Sequence, residues 1–126
     1  MAEAKKIMIV EDDELIRNMY KTKLEADGYT VAVVDNGGDA IPTVKAEKPD
    51  LVLLDVILPQ LDGFTVLEEL KSMTEIKDTP VIMLTNLGTE EDIEKGNKMG
   101  AVDYIVKANF TPAQVSEQIK NFFNKN

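Results

Sequence analysis

Short apolar runs alternate five times with longer segments of helical period along this chain, the rhythm of a parallel sheet covered by helices on both faces. The runs are Ile7 to Val10, Thr30 to Val34, Leu51 to Leu54, Val81 to Leu84 and Val102 to Val106. Leu51 to Leu54 has no polar position, so it reads as a central strand buried on both sides. The first helix starts at Asp12 or Asp13, ends at Gly28 and turns Ile16, Tyr20 and Leu24 inward. Asn36-Gly37-Gly38-Asp39 leads into a second helix with Pro42 in its first turn, closed before Pro49. Val56 to Gly63, with Pro59 and Asp62-Gly63, reads as a loop, and a helix from Phe64 to about Met73 then buries Phe64, Leu67 and Leu70. A fourth helix carries Glu90, Glu91, Asp92 and Glu94 and is closed by Gly100. Thr111-Pro112 caps the last, which places Val115, Ile119, Phe122 and Phe123 on one face.

At 126 residues the chain fills one domain, read as 1–126. Its formal charge of −9 repels a phosphate backbone, so nucleic acid is not expected as a direct partner. With no cysteine and no histidine, thiolate nucleophiles, imidazole acid–base chemistry and soft-ligand metal sites are excluded. Any metal is a hard, oxygen-liking cation. No run approaches the roughly 20 apolar residues of a membrane span, and a cytoplasmic protein is expected.

Right-handed crossovers bring the C-terminal ends of parallel strands to one edge of the sheet, where ligands bind. The residues there are Glu11, Asp12 and Asp13 after the first strand, Asp55 after the third, Thr85 after the fourth and Lys107 after the fifth. Each has an ordinary structural explanation alone: a complement to a helix dipole, a turn cap, a solvated strand end. Four coincidences at four strand ends are not explained that way. Clustered carboxylates need a counter-cation, and oxygen ligands suit Mg²⁺ or Mn²⁺. A carboxylate beside a metal and a lysine is a nucleophile toward a phosphoryl group, and Asp55, expected to lie deepest, is the candidate.

These stretches resemble the receiver domain of two-component response regulators. The resemblance runs through Ile7-Met8-Ile9-Val10-Glu11-Asp12-Asp13, Pro49-Asp50-Leu51-Val52-Leu53-Leu54-Asp55, Leu58-Pro59-Gln60-Leu61-Asp62-Gly63-Phe64, Pro80-Val81-Ile82-Met83-Leu84-Thr85 and Gly100-Ala101-Val102-Asp103-Tyr104-Ile105-Val106-Lys107. It implies a flavodoxin-like (βα)5 doubly wound sheet of order 2-1-3-4-5. It also implies a stand-alone, chemotaxis-type receiver without an output domain, a monomer or weak dimer. By the same resemblance Asp55 accepts a phosphoryl group from a histidine kinase or phosphotransfer protein. Asp12 binds Mg²⁺ directly, Glu11 mainly through water, and the Ile57 carbonyl adds a ligand. Lys107 pairs with the phosphoryl group, Thr85 moves its hydroxyl onto it, and Tyr104 turns inward to alter the face of the fourth helix, fifth strand and fifth helix that meets a downstream target protein. Catalysis is then limited to the chain's own phosphorylation and dephosphorylation.

The departures are specific. Where the family usually has proline after its lysine, this chain has Ala108, and beside Thr85, where a small residue is usual, it has Asn86. Two positions that tune self-dephosphorylation hold Ile57 and Leu87, both apolar. The competing readings are an aspartyl phosphatase, a flavodoxin and a phosphorylation-independent pseudo-receiver scaffold. The first lacks the aspartate it needs at Ile57, and the second is opposed by the acidic run Glu11 to Glu14. The third stays open on Asn86 and Ala108.

Overall fold

The computed structural model describes residues 4–125. Among these, β1 (Lys6–Val10), β2 (Thr30–Val34), β3 (Leu51–Leu54), β4 (Val81–Thr85) and β5 (Asp103–Val106) form one parallel sheet of order β2-β1-β3-β4-β5. They alternate with α1 (Glu14–Ala26), α2 (Ala40–Glu47), α3 (Gly63–Ser72), α4 (Glu90–Lys98) and α5 (Pro112–Lys125). This is the flavodoxin-like α/β fold, with the reversal of strand order between β1 and β3.

The two-residue period of the strands divides the core in two. Met8, Val10, Val52, Leu54, Val81 and Met83 pack with Val44 of α2 and Phe64, Leu67 and Leu70 of α3. Ile7, Ile9, Leu51, Leu53, Ile82, Leu84 and Ile105 pack with Tyr20 and Leu24 of α1 and Val115 and Ile119 of α5. Every residue of β3 and of β4 is buried, as their uninterrupted apolar runs require. Ile16, Phe122 and Phe123 lie at the margin of the second cluster.

The local signals explain the boundaries. Asp13 accepts the Ile16 N–H at 3.0 Å and starts α1. Thr111 and Gln114 cap each other reciprocally at the start of α5. Gly28 and Gly100, at φ 98° and 105°, carry the left-handed turns after α1 and α4.

Three expectations shift, and one element is new. Asp62, read as loop, is the N-cap of α3, accepting the Thr65 N–H at 3.1 Å, so the helix opens at Gly63. Thr85 closes β4 rather than following it, because it still pairs with Val106. Val102 stands before β5, half exposed, with its N–H on the Val81 carbonyl. A 3₁₀ turn, Lys107–Asn109, follows β5, where the sequence offered no signal.

Candidate functional site

The ladders position the acids. Glu11 continues β1 by one residue, its N–H on the Val34 carbonyl at 3.0 Å, and Asp55 continues β3, its N–H on the Val10 carbonyl at 3.1 Å. The two carboxylates thus leave adjacent strands at the same height. Asp12 stands beside them in solvent, and carboxylate oxygens of Glu11, Asp12 and Asp55 lie within 4.8 Å of one another. Glu11, 3% exposed, is set slightly deeper than Asp55 at 6%, against the expectation that Asp55 is the deepest, although both backbones continue their ladders by one bond.

Lys107 reaches between them from the end of β5. Its Nζ donates to Asp55 Oδ2 at 2.7 Å and to Glu11 Oε1, with all three side chains at most 10% exposed. Asp55 Oδ1 accepts the Ile57 N–H at 3.2 Å, and Glu11 Oε2 accepts the Asp13 N–H at 3.1 Å. Burial pushes the Glu11 carboxyl up from its ordinary value, against the opposing pull of Lys107. Burial also pulls the Lys107 ammonium down, but the bonds to Asp55 and Glu11 outweigh it and hold the group above its ordinary value.

Three carboxylates therefore face one ammonium in this cluster. The donors are all oxygen and carry surplus negative charge, which fits a hard divalent cation held by Glu11, Asp12 and Asp55. The Ile57 backbone sits in the loop beside them, while its side chain, 61% exposed, points away from the core.

The loop after β3 is fixed from both ends. The Gly63 N–H donates to the Val56 carbonyl at 2.8 Å, and the Gly37 N–H, from the loop before α2, donates to the Pro59 carbonyl at 3.0 Å. A Cβ on Gly63 would lie 2.0 Å from the Asp55 carbonyl oxygen, so α3 begins this close to the acid only because residue 63 has no side chain. Gly63→Ala is expected to displace that backbone and cost about 1–3 kcal/mol of stability, read as a lower urea midpoint. An unchanged midpoint would mean the loop yields freely.

Thr85 is fully buried, its Oγ1 accepting the Leu87 N–H at 3.3 Å. The Tyr104 hydroxyl donates to the Leu87 carbonyl, and its ring lies against Gly96, the buried residue of α4. Burial first, and Asp92 and Asp55 after it, push the Tyr104 phenol up to about 12. The sequence reading missed Arg17, whose Nη1 donates to the Glu11 carbonyl at 3.1 Å and the Asp12 carbonyl at 3.4 Å, bracing the backbone that carries both acids. Its only sequence signal was a cation one turn into α1. Also missed was a bond between two departures from the family pattern, Ala108 N–H to Asn86 Oδ1 at 3.0 Å.

The family model described as response regulator receiver domain matches residues 7–120. This chain belongs to the response regulator receiver family. The receiver is 39% identical over 116 residues to the alkaline phosphatase synthesis transcriptional regulatory protein PhoP of Bacillus subtilis, an alignment covering 92% of this chain and 47% of that protein. It spans about half the length of the curated relatives it matches, which are transcriptional regulators. Among solved structures it resembles the BeF3-activated N-terminal receiver domain of Klebsiella pneumoniae RstA, at 34% identity and a TM-score of 0.85 over 92% of this chain and 96% of that one. It also resembles the Mn²⁺-bound form of the response regulator Rcp1, at 28% identity and a TM-score of 0.75 over 82% and 81%. Receiver domains are phosphorylated by histidine kinases, and the acidic cluster is typical of a receiver Mg²⁺ site. Among the described residues no helix is long and apolar enough to cross a membrane.

Proposed function

We infer that this receiver is a Mg²⁺-dependent phosphoacceptor switch in which Asp55 takes a phosphoryl group from a histidine kinase or a phosphotransfer protein. The observation that carries the reading is a buried Asp55 carboxylate at the end of the central strand, bonded to Lys107 and within 4.8 Å of the Glu11 and Asp12 oxygens.

An Asp55 carboxylate oxygen forms the new O–P bond as the N–P bond of the donor phosphohistidine breaks, its electron pair staying on the imidazole nitrogen. Lys107, already desolvated and pinned between the acids, lies ready to neutralise charge on the transferring oxygens. Ile57 N–H holds the carboxylate's rotamer through Oδ1. A bound Mg²⁺ or Mn²⁺ supplies further positive charge at those oxygens. The residues that would hold it are Glu11, Asp12 and Asp55, with the Ile57 carbonyl as the backbone ligand. Thr85 supplies a hydroxyl to the phosphoryl group, and the Leu87 backbone connects it to Tyr104, since its N–H meets Thr85 and its carbonyl meets the phenol. Phosphorylation thereby biases the face of α4, β5 and α5, and a downstream target protein reads the difference.

The receiver acts in the cytoplasm through protein contacts, its charge of −9 opposing direct nucleic-acid binding. Residues 1–126 are read as one receiver domain, and the size of the native gene product on an immunoblot distinguishes a single-domain receiver from a longer regulator of the kind the curated relatives are.

The test is incubation with Mg²⁺ and acetyl phosphate, followed by intact mass. One phosphoryl increment that EDTA abolishes supports the reading, and an unchanged mass favours the pseudo-receiver scaffold. Metal binding is checked separately, since a ligand of the folded state alone raises Tm with its concentration. Mg²⁺ or Mn²⁺ is expected to raise the Tm of the wild type and to raise that of Asp12→Ala far less. An equal rise in both would remove Asp12 from the ligand set.

A further inference from the structure

Strands β4 and β5 are paired in register as far as Thr85 and Val106. Backbone pairing stops there, one residue short of both Asn86 and Lys107. The next link is made by a side chain: Asn86 Oδ1 accepts the Ala108 N–H at 3.0 Å. It joins the backbone just after Lys107 to the residue just after Thr85, so it couples the two strand ends that carry those side chains.

We propose that Asn86 is a positioning residue for Lys107, holding the turn after β5 so that the ammonium stays between Glu11 and Asp55. The inference rests on the phosphoacceptor reading above, because Lys107 matters to function only if Asp55 is the acceptor.

Lys107 opens a 3₁₀ turn of three residues, Lys107–Asn109, closed internally by the Phe110 N–H on the Lys107 carbonyl at 3.2 Å. One short turn of this kind is marginal by itself. An acceptor from outside the turn is what a segment so short lacks, and Asn86 provides it. The demand for a well-placed turn comes from Lys107, whose long side chain must meet two carboxylates at once. The pairing depends on both residue types. The donor exists because residue 108 is alanine, since proline has no N–H. The acceptor exists because residue 86 is asparagine, whose side chain reaches across where a small residue would not.

The experiment compares wild type, Asn86→Ala, Asn86→Asp, Ala108→Pro and the Asn86→Ala/Ala108→Pro double variant in the full chain. Labelling rates are measured with acetyl phosphate and Mg²⁺, and deuterium exchange of the Ala108 amide is measured in EDTA, where no phosphorylation occurs. Loss of one such bond is expected to slow labelling in Asn86→Ala about fivefold. The Ala108 amide is expected to exchange on the order of tenfold faster in Asn86→Ala, while Asn86→Asp, which keeps an acceptor oxygen, retains protection. In the Ala108→Pro background, where the donor is gone, Asn86→Ala is expected to change labelling by less than about twofold.

Labelling of Asn86→Ala at the wild-type rate, or an equal loss in the Ala108→Pro background, overturns the inference and leaves the phosphoacceptor reading standing. If Ala108→Pro does not fold, unchanged Ala108 exchange in Asn86→Ala overturns it alone. A wild type that takes up no label overturns the phosphoacceptor reading and this inference with it.

Discussion

Asp55→Asn is expected to take up no phosphoryl group from acetyl phosphate or from a phosphorylated kinase, under conditions that label the wild type to completion. The amide keeps the shape of the carboxylate and can still accept the Ile57 N–H through Oδ1, so local geometry survives. What is lost is the nucleophile, because a neutral amide oxygen does not displace a phosphoryl leaving group as a carboxylate does. No neighbouring acid replaces it. Glu11 remains bonded to Lys107, Asp12 remains in solvent, and Asp62 is engaged as the cap of α3 with Thr65 N–H and Oγ1. The matching control, Asp62→Asn, is expected to label normally with little loss of stability, because an asparagine Oδ1 caps the helix about as well as the carboxylate does. Intact mass of the two variants after the same incubation is the measurement, and phosphoryl uptake by Asp55→Asn would show that another group is the acceptor. In EDTA the Asp55→Asn protein is expected to remain folded, because Glu11 still pairs with Lys107 and the cluster has shed one of its surplus negative charges.

How far the site could be read in advance follows from what kind of contact holds each part. Glu11, Asp55 and Lys107 end apolar runs, and once the strands are parallel those ends share one edge. Their meeting across 96 residues, Lys107 with Glu11, therefore needs only the strand pattern and the handedness of the crossovers. The relative depth of Glu11 and Asp55 was misjudged because both ladders continue equally far and depth is then decided by what packs over each carboxylate, which a run of apolar letters does not specify. Thr85 shows the same limit: a polar residue can still be the last paired residue of a strand. Asp62 was assigned to a loop because Pro59 and the Asp-Gly pair signal a turn, and a turn that ends on an N-cap has the same composition. The loop contacts were beyond reach. Nothing in the letters around Gly37 says that its N–H meets Pro59, and Asn86 and Ala108 stand out singly as departures, whereas only coordinates show that they are partners.

The largest expected effect on timing concerns the phosphorylated state, which is expected to decay slowly and to accelerate when Ile57→Asn is combined with Leu87→Glu. Hydrolysis of an acyl phosphate on Asp55 requires a water aligned opposite the leaving carboxylate, and holding a nucleophile in line accounts for much of the rate of phosphoryl transfer. The resemblance assigns that task to the side chains two residues after Asp55 and two after Thr85. Ile57 stands 61% exposed at the rim, and its side chain offers no hydrogen bond while its N–H is already given to Asp55, so it does not fix a water, although solvent is near. Leu87 packs against one of the two core clusters, and its backbone is already engaged by Thr85 and Tyr104, so this position also lacks a free polar group. An amide at 57 and a carboxylate at 87 would supply an orienting donor and an acceptor for the water's proton. The double variant is expected to lose its label on the order of tenfold faster than wild type, about 1.4 kcal/mol off the barrier. The measurement is the decay of labelled protein after the donor is removed, at fixed Mg²⁺. The exposure of Ile57 makes the single variants informative: if water supply were the limit, Ile57→Asn alone would change little, whereas if orientation is the limit each substitution contributes and the pair contributes most. Equal decay in wild type and the double variant would place control of the water elsewhere, and the loop braced by Asn86 and Ala108 is then the next place to test.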